Sequence, residues 1–269
     1  MKMTLEQLWQ ARYGRPPEHT PAAALATLLA HRSVRAYRRE PIAASTVADA
    51  LAAAQSASTS SHLQAWSVIA VRDRERLQRL AAYAGDQEHV ARAPLLLVWL
   101  ADWSRLRRMG SAAQQPTDGI DYLEAYTLAV IDAALAAQNA AIALEAQGLG
   151  IVYIGGLRNQ PEAVARELDL PSDCFAVFGM CVGYPADTGA IKPRLPAALV
   201  LHEERYQVCT DEAAQIAAYD QRMRAFQSYQ GRSDRSWSTI VLQRMRDAAA
   251  LTGRHLLRPA LERLGFHLR

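Results

Sequence analysis

Apolar positions fall along this chain in two rhythms, one helical and one strand-like, and the switches between them lay out the elements. Thr4 with Gln7 three residues on reads as a capping box opening a short helix that Gly14 ends, before Arg15-Pro16-Pro17 breaks the chain. Thr20-Pro21 has the form of a cap and first-turn proline for a second helix, along which Leu25, Leu28 and Leu29 lead into His31. A third helix is expected after Pro41, over 46–54. Continuous apolar runs at 68–71 and 95–100 predict buried strands, and between them 74–83 has helical spacing with Gly85 to stop it. The stretch 105–117 has no period and holds Gly110, Gln114, Gln115 and Pro116, so a loop is expected. A long helix over 122–147 follows, apolar almost all round and stopped at Gly148-Leu149-Gly150, which implies cover on every side. A strand at 151–154 opens onto Gly155-Gly156, Pro161 starts another helix, and 175–182 is a last core strand ending at Gly183-Tyr184-Pro185. Past 205 the chain turns polar and helical, as an excursion over a neighbour would. Strands alternating with helices in this way give an α/β or α+β class.

Composition narrows the function classes. At 269 residues, half of them hydrophobic and 21% charged, the chain can bury the core of one large domain or one and a half. Cys174, Cys181 and Cys209 are an odd number without CxxC spacing, so neither a disulfide framework nor a thiolate metal site is expected, and a reducing, cytoplasmic setting fits. Met1-Lys2-Met3-Thr4-Leu5-Glu6 mixes charge with apolar residues and has no signal-peptide core, so no export is expected. The apolar stretch 128–144 carries Asp132, Gln138 and Asn139, and is expected to be too polar to span a membrane. A net charge of +3 is too small to argue for nucleic acid.

Five segments carry candidate chemistry. His31-Arg32-Ser33-Val34-Arg35 sets two guanidinium groups and a hydroxyl at the end of an apolar helix, an arrangement that suits a phosphate or, equally, a solvated helix end. Ser56-Ala57-Ser58-Thr59-Ser60-Ser61, followed by His62-Leu63-Gln64, clusters short hydroxyl donors that would line a sugar-like chain or form an ordinary polar loop. Tyr153-Ile154-Gly155-Gly156 lies at a strand end, where glycines let backbone N–H groups approach a flat ring or simply make a tight turn. Lys192-Pro193-Arg194 projects two cations from a proline-stiffened segment, as an anion clamp or a solvated basic loop would. Arg222, Arg224, Arg232 and Arg235 would clasp a second anion or lie along a solvated face.

Taken together and in order, the first four of these segments, with Gln87-Glu88-His89-Val90, Gln138-Asn139, Leu157-Arg158-Asn159, Phe178-Gly179-Met180-Cys181-Val182-Gly183 and Leu195-Pro196, make the chain resemble the nitroreductase superfamily. Within it, the likeness is to the oxygen-insensitive NADPH nitroreductase and NADPH flavin oxidoreductase group, from about residue 23 onward. The resemblance implies an α+β sandwich, a central mainly antiparallel sheet flanked by helices, in an intertwined homodimer with FMN at the interface. It implies a division into an N-terminal extension (1–20), an FMN-binding core (21–205) and a helical excursion and C-terminal arm packing on the partner subunit (206–269). By the same resemblance Arg32, Lys192 and Arg194 hold the FMN phosphate with His31 and Ser33 nearby, and Arg35 faces the flavin pyrimidine edge. Thr59, Ser60, Ser61, Gln64 and Gln87 fall on flavin- or ribityl-bonding positions. Tyr153 and Ile154 count among the cofactor-binding residues, and Gly155 and Gly156 fall beside flavin N5, where hydride lands, so no catalytic acid or nucleophile is required of the protein.

The implied activity is two-electron, ping-pong transfer from NADPH, or NADH, to nitroaromatics, quinones or free flavin. The alternative is a flavin-binding or basic interaction module without turnover, using 222–235 and Arg244-Met245-Arg246 on an acidic partner. Three departures from the group stand out. The first twenty residues have no assignable role, His62 replaces an aromatic or amide residue, and Gln230 replaces an NADPH-contacting arginine, a part that Arg232 or Arg235 would have to take.

Overall fold

The computed structural model describes residues 3–269, so the Met1-Lys2 start of the expected extension lies outside the described residues. The elements begin with α1 (Leu5–Tyr13), α2 (Leu25–Ala30), β1 (Ala36–Tyr37), α3 (Ala44–Gln55), β2 (Trp66–Val71) and α4 (Arg74–Tyr83). Next come α5 (Glu88–Ala91), β3 (Leu95–Asp102), α6 (Ser104–Ala113), α7 (Leu123–Ala146), β4 (Gly150–Ile154) and α8 (Pro161–Glu167). Then follow β5 (Cys174–Gly183), β6 (Pro185–Asp187), α9 (Glu212–Tyr229), α10 (Trp237–Arg244) and α11 (Leu257–Arg263). By backbone proximity the chain forms two compact units, residues through Arg32 with Gly189–Leu251, and Ser33–Thr188 with Thr252–Arg269.

In the second unit four strands form one antiparallel sheet in the order β2-β3-β5-β4. Successive side chains of a strand point to opposite faces, so on β3 Leu95, Leu97 and Trp99 enter one core while Leu96, Val98 and Leu100 enter the other. The first core is closed by Ala50 and Ala54 of α3 with Ala136, Ala137, Ala140 and Ala141 of α7. The second is closed by Leu77 and Leu80 of α4 and Val164 of α8. A strand covered on both faces has no polar alternation, which is why 95–100 reads as one apolar run. Each such leucine or valine contributes roughly 1.5–3 kcal/mol by leaving water. This is the expected α+β sandwich with a mainly antiparallel sheet. Opposite Trp99 and Leu100 of β3, strand β5 carries Phe178 and Ala176, so Val177 is an extra residue that bulges the strand. A short two-stranded pair, β1 with β6, lies apart from the main sheet.

Two local expectations are corrected. The stretch 105–117 is mostly helix α6, not loop: Asp102 accepts from Ser104 N at 3.0 Å and from its hydroxyl at 2.6 Å, which starts the helix, and left-handed Gln114 ends it. Thr20-Pro21 does not open a helix; α2 starts at Leu25 with no side-chain cap. Helix α7 is, by length and composition alone, apolar enough to cross a membrane, so polarity does not exclude it as expected. Its small residues, however, are buried against the sheet of the same unit, while Ile131 and Leu135 on its other side are exposed in the single chain.

The first unit has no strand among its described residues. The capping box is as expected, with Gln7 N bonded to the Thr4 hydroxyl at 3.2 Å and Thr4 N to Gln7 Oε1 at 2.9 Å. Leu8 of α1, Leu29 of α2 and Ile191 of the irregular segment after Gly189 form its small apolar cluster. Helices α9 and α10 are joined by Asp220, which accepts from Ser238 N at 2.9 Å.

Candidate functional site

In the first unit the cationic segments, about 160 residues apart in sequence, are tied to one side chain that sequence reasoning did not single out. Arg12 is buried in α1, and its guanidinium donates from Nε to Leu29 O at 3.0 Å, from Nη1 to Lys192 O at 2.9 Å, and from Nη2 to His31 O. Burying a guanidinium is costly unless its donors are met, and here the Nε and both terminal nitrogens donate to carbonyls. Arg194 N returns a bond to Arg12 O at 2.9 Å, so backbone and side chain of one residue hold the 192–194 segment. Pro193 O is fixed further by the Tyr219 hydroxyl at 3.1 Å, and the Lys192 ammonium sits 5.9 Å from the centre of the Phe226 ring. Arg32 keeps a buried Nε that meets no acceptor, although one of its terminal nitrogens lies 3.8 Å from Met3 Sδ. An orphaned guanidinium N–H is costly, and a phosphate oxygen is the partner that would satisfy it. His31, Arg32, Lys192 and Arg194 thus belong to one unit. Arg232 and Arg235 lie exposed in the loop between α9 and α10. Gln230 sits against Gly189, where an added Cβ would be 3.2 Å from its amide oxygen.

The second unit holds the remaining candidates. Val34 N bonds to Ile151 O at 2.9 Å and Ser33 pairs with Ile151, which fastens the start of this unit to the edge of β4. Gly150 permits that approach, since a Cβ there would fall 2.5 Å from a Val34 methyl. Arg35 is exposed, and its charge, after burial itself, lowers the pKa of His89. Burial pushes the Cys181 and Cys174 thiols up to about 12, so both stay protonated and inert at neutral pH.

The hydroxyl-rich loop is organised by Asp132, a buried carboxylate in the mostly apolar α7. It accepts from the Thr59 hydroxyl at 2.5 Å, from Ser60 N at 3.2 Å and from Ala65 N at 3.1 Å. Thr59 in turn accepts from Gln64 N at 3.0 Å, so its hydroxyl is spent inside the loop, while Ser60, Ser61 and Gln64 are exposed. Ser61, His62 and Gln64 all have left-handed backbone, a run of strain that the Asp132 bonds help hold in place. The signal for Asp132 was in the sequence as an acid facing into an alanine-rich helix.

The last group lies where β4 ends in a tight turn over Gly155–Asn159. Gln87 donates to Ala84 O at 2.8 Å, and Gly156 packs so closely on both that a Cβ would lie 2.4 Å from that oxygen and 2.5 Å from the Gln87 amide nitrogen. Arg158 donates to the carbonyl of Val177, which satisfies the bulged residue of β5 and sets its guanidinium over Gly155. Tyr153 packs edge-on against Phe178 at 5.2 Å, and burial raises its pKa. The sequence thus places Gln87, Gly155 and Gly156 in one spot and Thr59, Ser60, Ser61 and Gln64 in another.

The chain is similar along most of its length to known proteins of one family. The pattern of the nitroreductase family matches residues 28–184, and that of the nitroreductase family C-terminal domain matches 192–269. The chain is 36% identical over 224 residues to an FMN reductase (NADPH) of Bacillus subtilis, covering 82% of this chain and 90% of the relative. It is 39% identical over 216 residues to an oxygen-insensitive NADPH nitroreductase of Salmonella typhimurium, covering 80% and 87%. The solved structure of NfrA2 from Bacillus megaterium matches with a TM-score of 0.86 at 34% identity, over 93% of this chain and 100% of that one.

Proposed function

Because the chain belongs to the nitroreductase family, we propose that it works as an FMN-dependent NAD(P)H oxidoreductase that reduces small acceptors such as nitroaromatics, quinones or free flavin. The observation that carries this reading is the buried, unmet Nε of Arg32 in the same unit as Lys192 and Arg194. That donor set fits a terminal phosphate, because it offers directed guanidinium N–H groups and a point charge together. If bound, FMN would supply the two-electron carrier chemistry that links a nicotinamide donor to an acceptor.

The protein's part is to bind, orient and tune. Arg32, Lys192 and Arg194 hold the phosphate, with His31 and Ser33 adjoining Arg32 in sequence. Arg35 presents positive charge to the pyrimidine edge, which favours the electron-rich form of the ring. Ser60, Ser61, Gln64 and Gln87 bond the ribityl and ring polar atoms, and Thr59 contributes mainly by fixing the loop through Asp132. Tyr153 and Ile154 lead into the Gly155-Gly156 turn, whose backbone N–H groups are the candidates to meet the ring near N5. Arg232 and Arg235 are the candidates for the nicotinamide donor's phosphate, in NADPH or, with less use for them, NADH.

The exposed Ile131 and Leu135 of α7 support a homodimer in which a second copy covers that helix, and the reduced thiols fit a cytoplasmic setting. No feature of the fold favours the alternative of a flavin-binding or basic interaction module without turnover. The test is direct. Purified protein should be yellow, sediment as a dimer and bleach when NADPH is added without oxygen, then recolour on adding a quinone. A chain that takes up no FMN from excess, or takes it up and never bleaches, sinks the proposal.

A further inference from the structure

The N-terminal arm has no counterpart in the matched family pattern, which begins at residue 28, yet its one buried arginine touches both halves of the phosphate-holding set. We propose that Arg12 is a positioning residue: its guanidinium fixes the Leu29–His31 turn relative to the Lys192–Arg194 segment and thereby aims Arg32, Lys192 and Arg194 at the FMN phosphate. The inference rests on the FMN reading above.

Two physical arguments carry it. The first is geometric. A guanidinium is a rigid planar fork, so carbonyls bonded to its Nε, Nη1 and Nη2 are held in one plane at fixed separations. Leu29 O and His31 O belong to the stretch that presents Arg32, and Lys192 O belongs to the stretch that presents the other two cations. Arg194 N is bonded back to Arg12 O, which closes the brace from the other side. A charged site works only if its groups are held to within a fraction of an ångström, and loop segments such as 192–194 cannot do this unaided.

The second argument is electrostatic. Helix α2 ends at Ala30, so the carbonyls around Leu29 and His31 belong to its unsatisfied carboxyl end, which carries partial negative charge. An anion next to Arg32 would be repelled by that end. Arg12 donates to two of these carbonyls and so turns an anion-repelling terminus into a satisfied one. The effect concerns the phosphate alone, because a neutral flavin without it has no charge for either the cations or the carbonyls to act upon.

The experiment is a titration of the full-length apoprotein with FMN and with riboflavin, which lacks the phosphate, followed by quenching of flavin fluorescence. Wild type should bind FMN more tightly than riboflavin. Arg12→Ala should weaken FMN about tenfold, the low end of what losing a supporting partner does to a bound group, and leave riboflavin unchanged. Unchanged FMN binding, or equal weakening of both flavins, overturns the proposal, the second by making Arg12 merely structural. If the alanine variant does not fold, Arg12→Gln, which keeps an amide donor, takes its place and should narrow the FMN-to-riboflavin preference. Failure of both variants to fold assigns Arg12 to stability alone and likewise overturns it. A wild-type chain that binds neither flavin defeats the FMN reading itself, and that result is seen before any variant is made.

Discussion

The two units of this chain are built on different physics. The unit of Ser33–Thr188 with Thr252–Arg269 is a sheet buried on both faces, with two apolar cores meeting at β3 and β5. Its stability comes from non-directional burial shared over dozens of side chains, and no single polar contact decides it. The unit of residues through Arg32 with Gly189–Leu251 has one small cluster around Leu8, Leu29 and Ile191, and its irregular segment is fixed by directed bonds from Arg12 and Tyr219 to carbonyls. The difference teaches that one unit tolerates polar change and resents lost volume, while the other does the reverse.

The largest expected effect tests the first half of that statement. Trp99 is 1% exposed in the middle of β3, with its ring 5.6 Å from that of Trp66. Trp99→Ala should cost roughly 3–5 kcal/mol in denaturant unfolding, while the folded fraction keeps its preference for FMN over riboflavin. A loss well under 1 kcal/mol would mean that the sheet core relaxes far more than its packing allows.

Next in size is the converse substitution. Arg32→Ala should weaken FMN binding by about 1.5–3 kcal/mol, the value of a hydrogen bond to a charged group, with the unfolding midpoint of the apoprotein almost unmoved. Since its buried Nε meets no protein acceptor, removing it costs the apoprotein no hydrogen bond from that atom and takes a contact from the complex. An apoprotein strongly destabilised by this change would erase the distinction between the units.

The same contrast explains what the sequence disclosed. Burial leaves a periodic trace, so β3, β5, α7 and the capping box of α1 were legible from spacing, and so was the antiparallel sandwich once the ordered motifs were set beside a known family. Directed contacts leave no such trace. Nothing in the spacing of Arg12 says that it reaches Leu29 and Lys192, because its partners are backbone carbonyls, which every residue carries. Asp132 stood out as an acid in an apolar helix, but which loop it would organise depended on the packing of α7. Gly110 and Pro116 suggest a loop where helix α6 forms, because the bond from Ser104 N to Asp102 at the end of β3 depends on a turn that spacing does not show. The order of the motifs does not reveal that the Thr59 hydroxyl is engaged by Asp132 and by Gln64 N.

The smallest effect concerns the few places where the sheet unit does rely on charge. Hydrogen bonding from Arg107 holds the Asp121 carboxyl below the usual carboxylate range, and Arg79 does the same for Glu167. With folded values lowered, the folded chain binds fewer protons than the unfolded one in this range, so stability rises with pH there. The contribution is complete above the ordinary carboxylate values near 4 and is lost as pH falls through them toward the lower folded values. The urea midpoint should therefore drift down modestly on acidification from about pH 5 to 3. Asp121→Asn should lower the midpoint at neutral pH and make that drift shallower, since one of the depressed acids is gone. Arg107 also reaches Asp173, with contacts at 3.3 Å, so part of the pairing survives in the variant and the flattening should be partial. A variant whose midpoint tracks pH as steeply as wild type would place the acid sensitivity outside the Arg107 network.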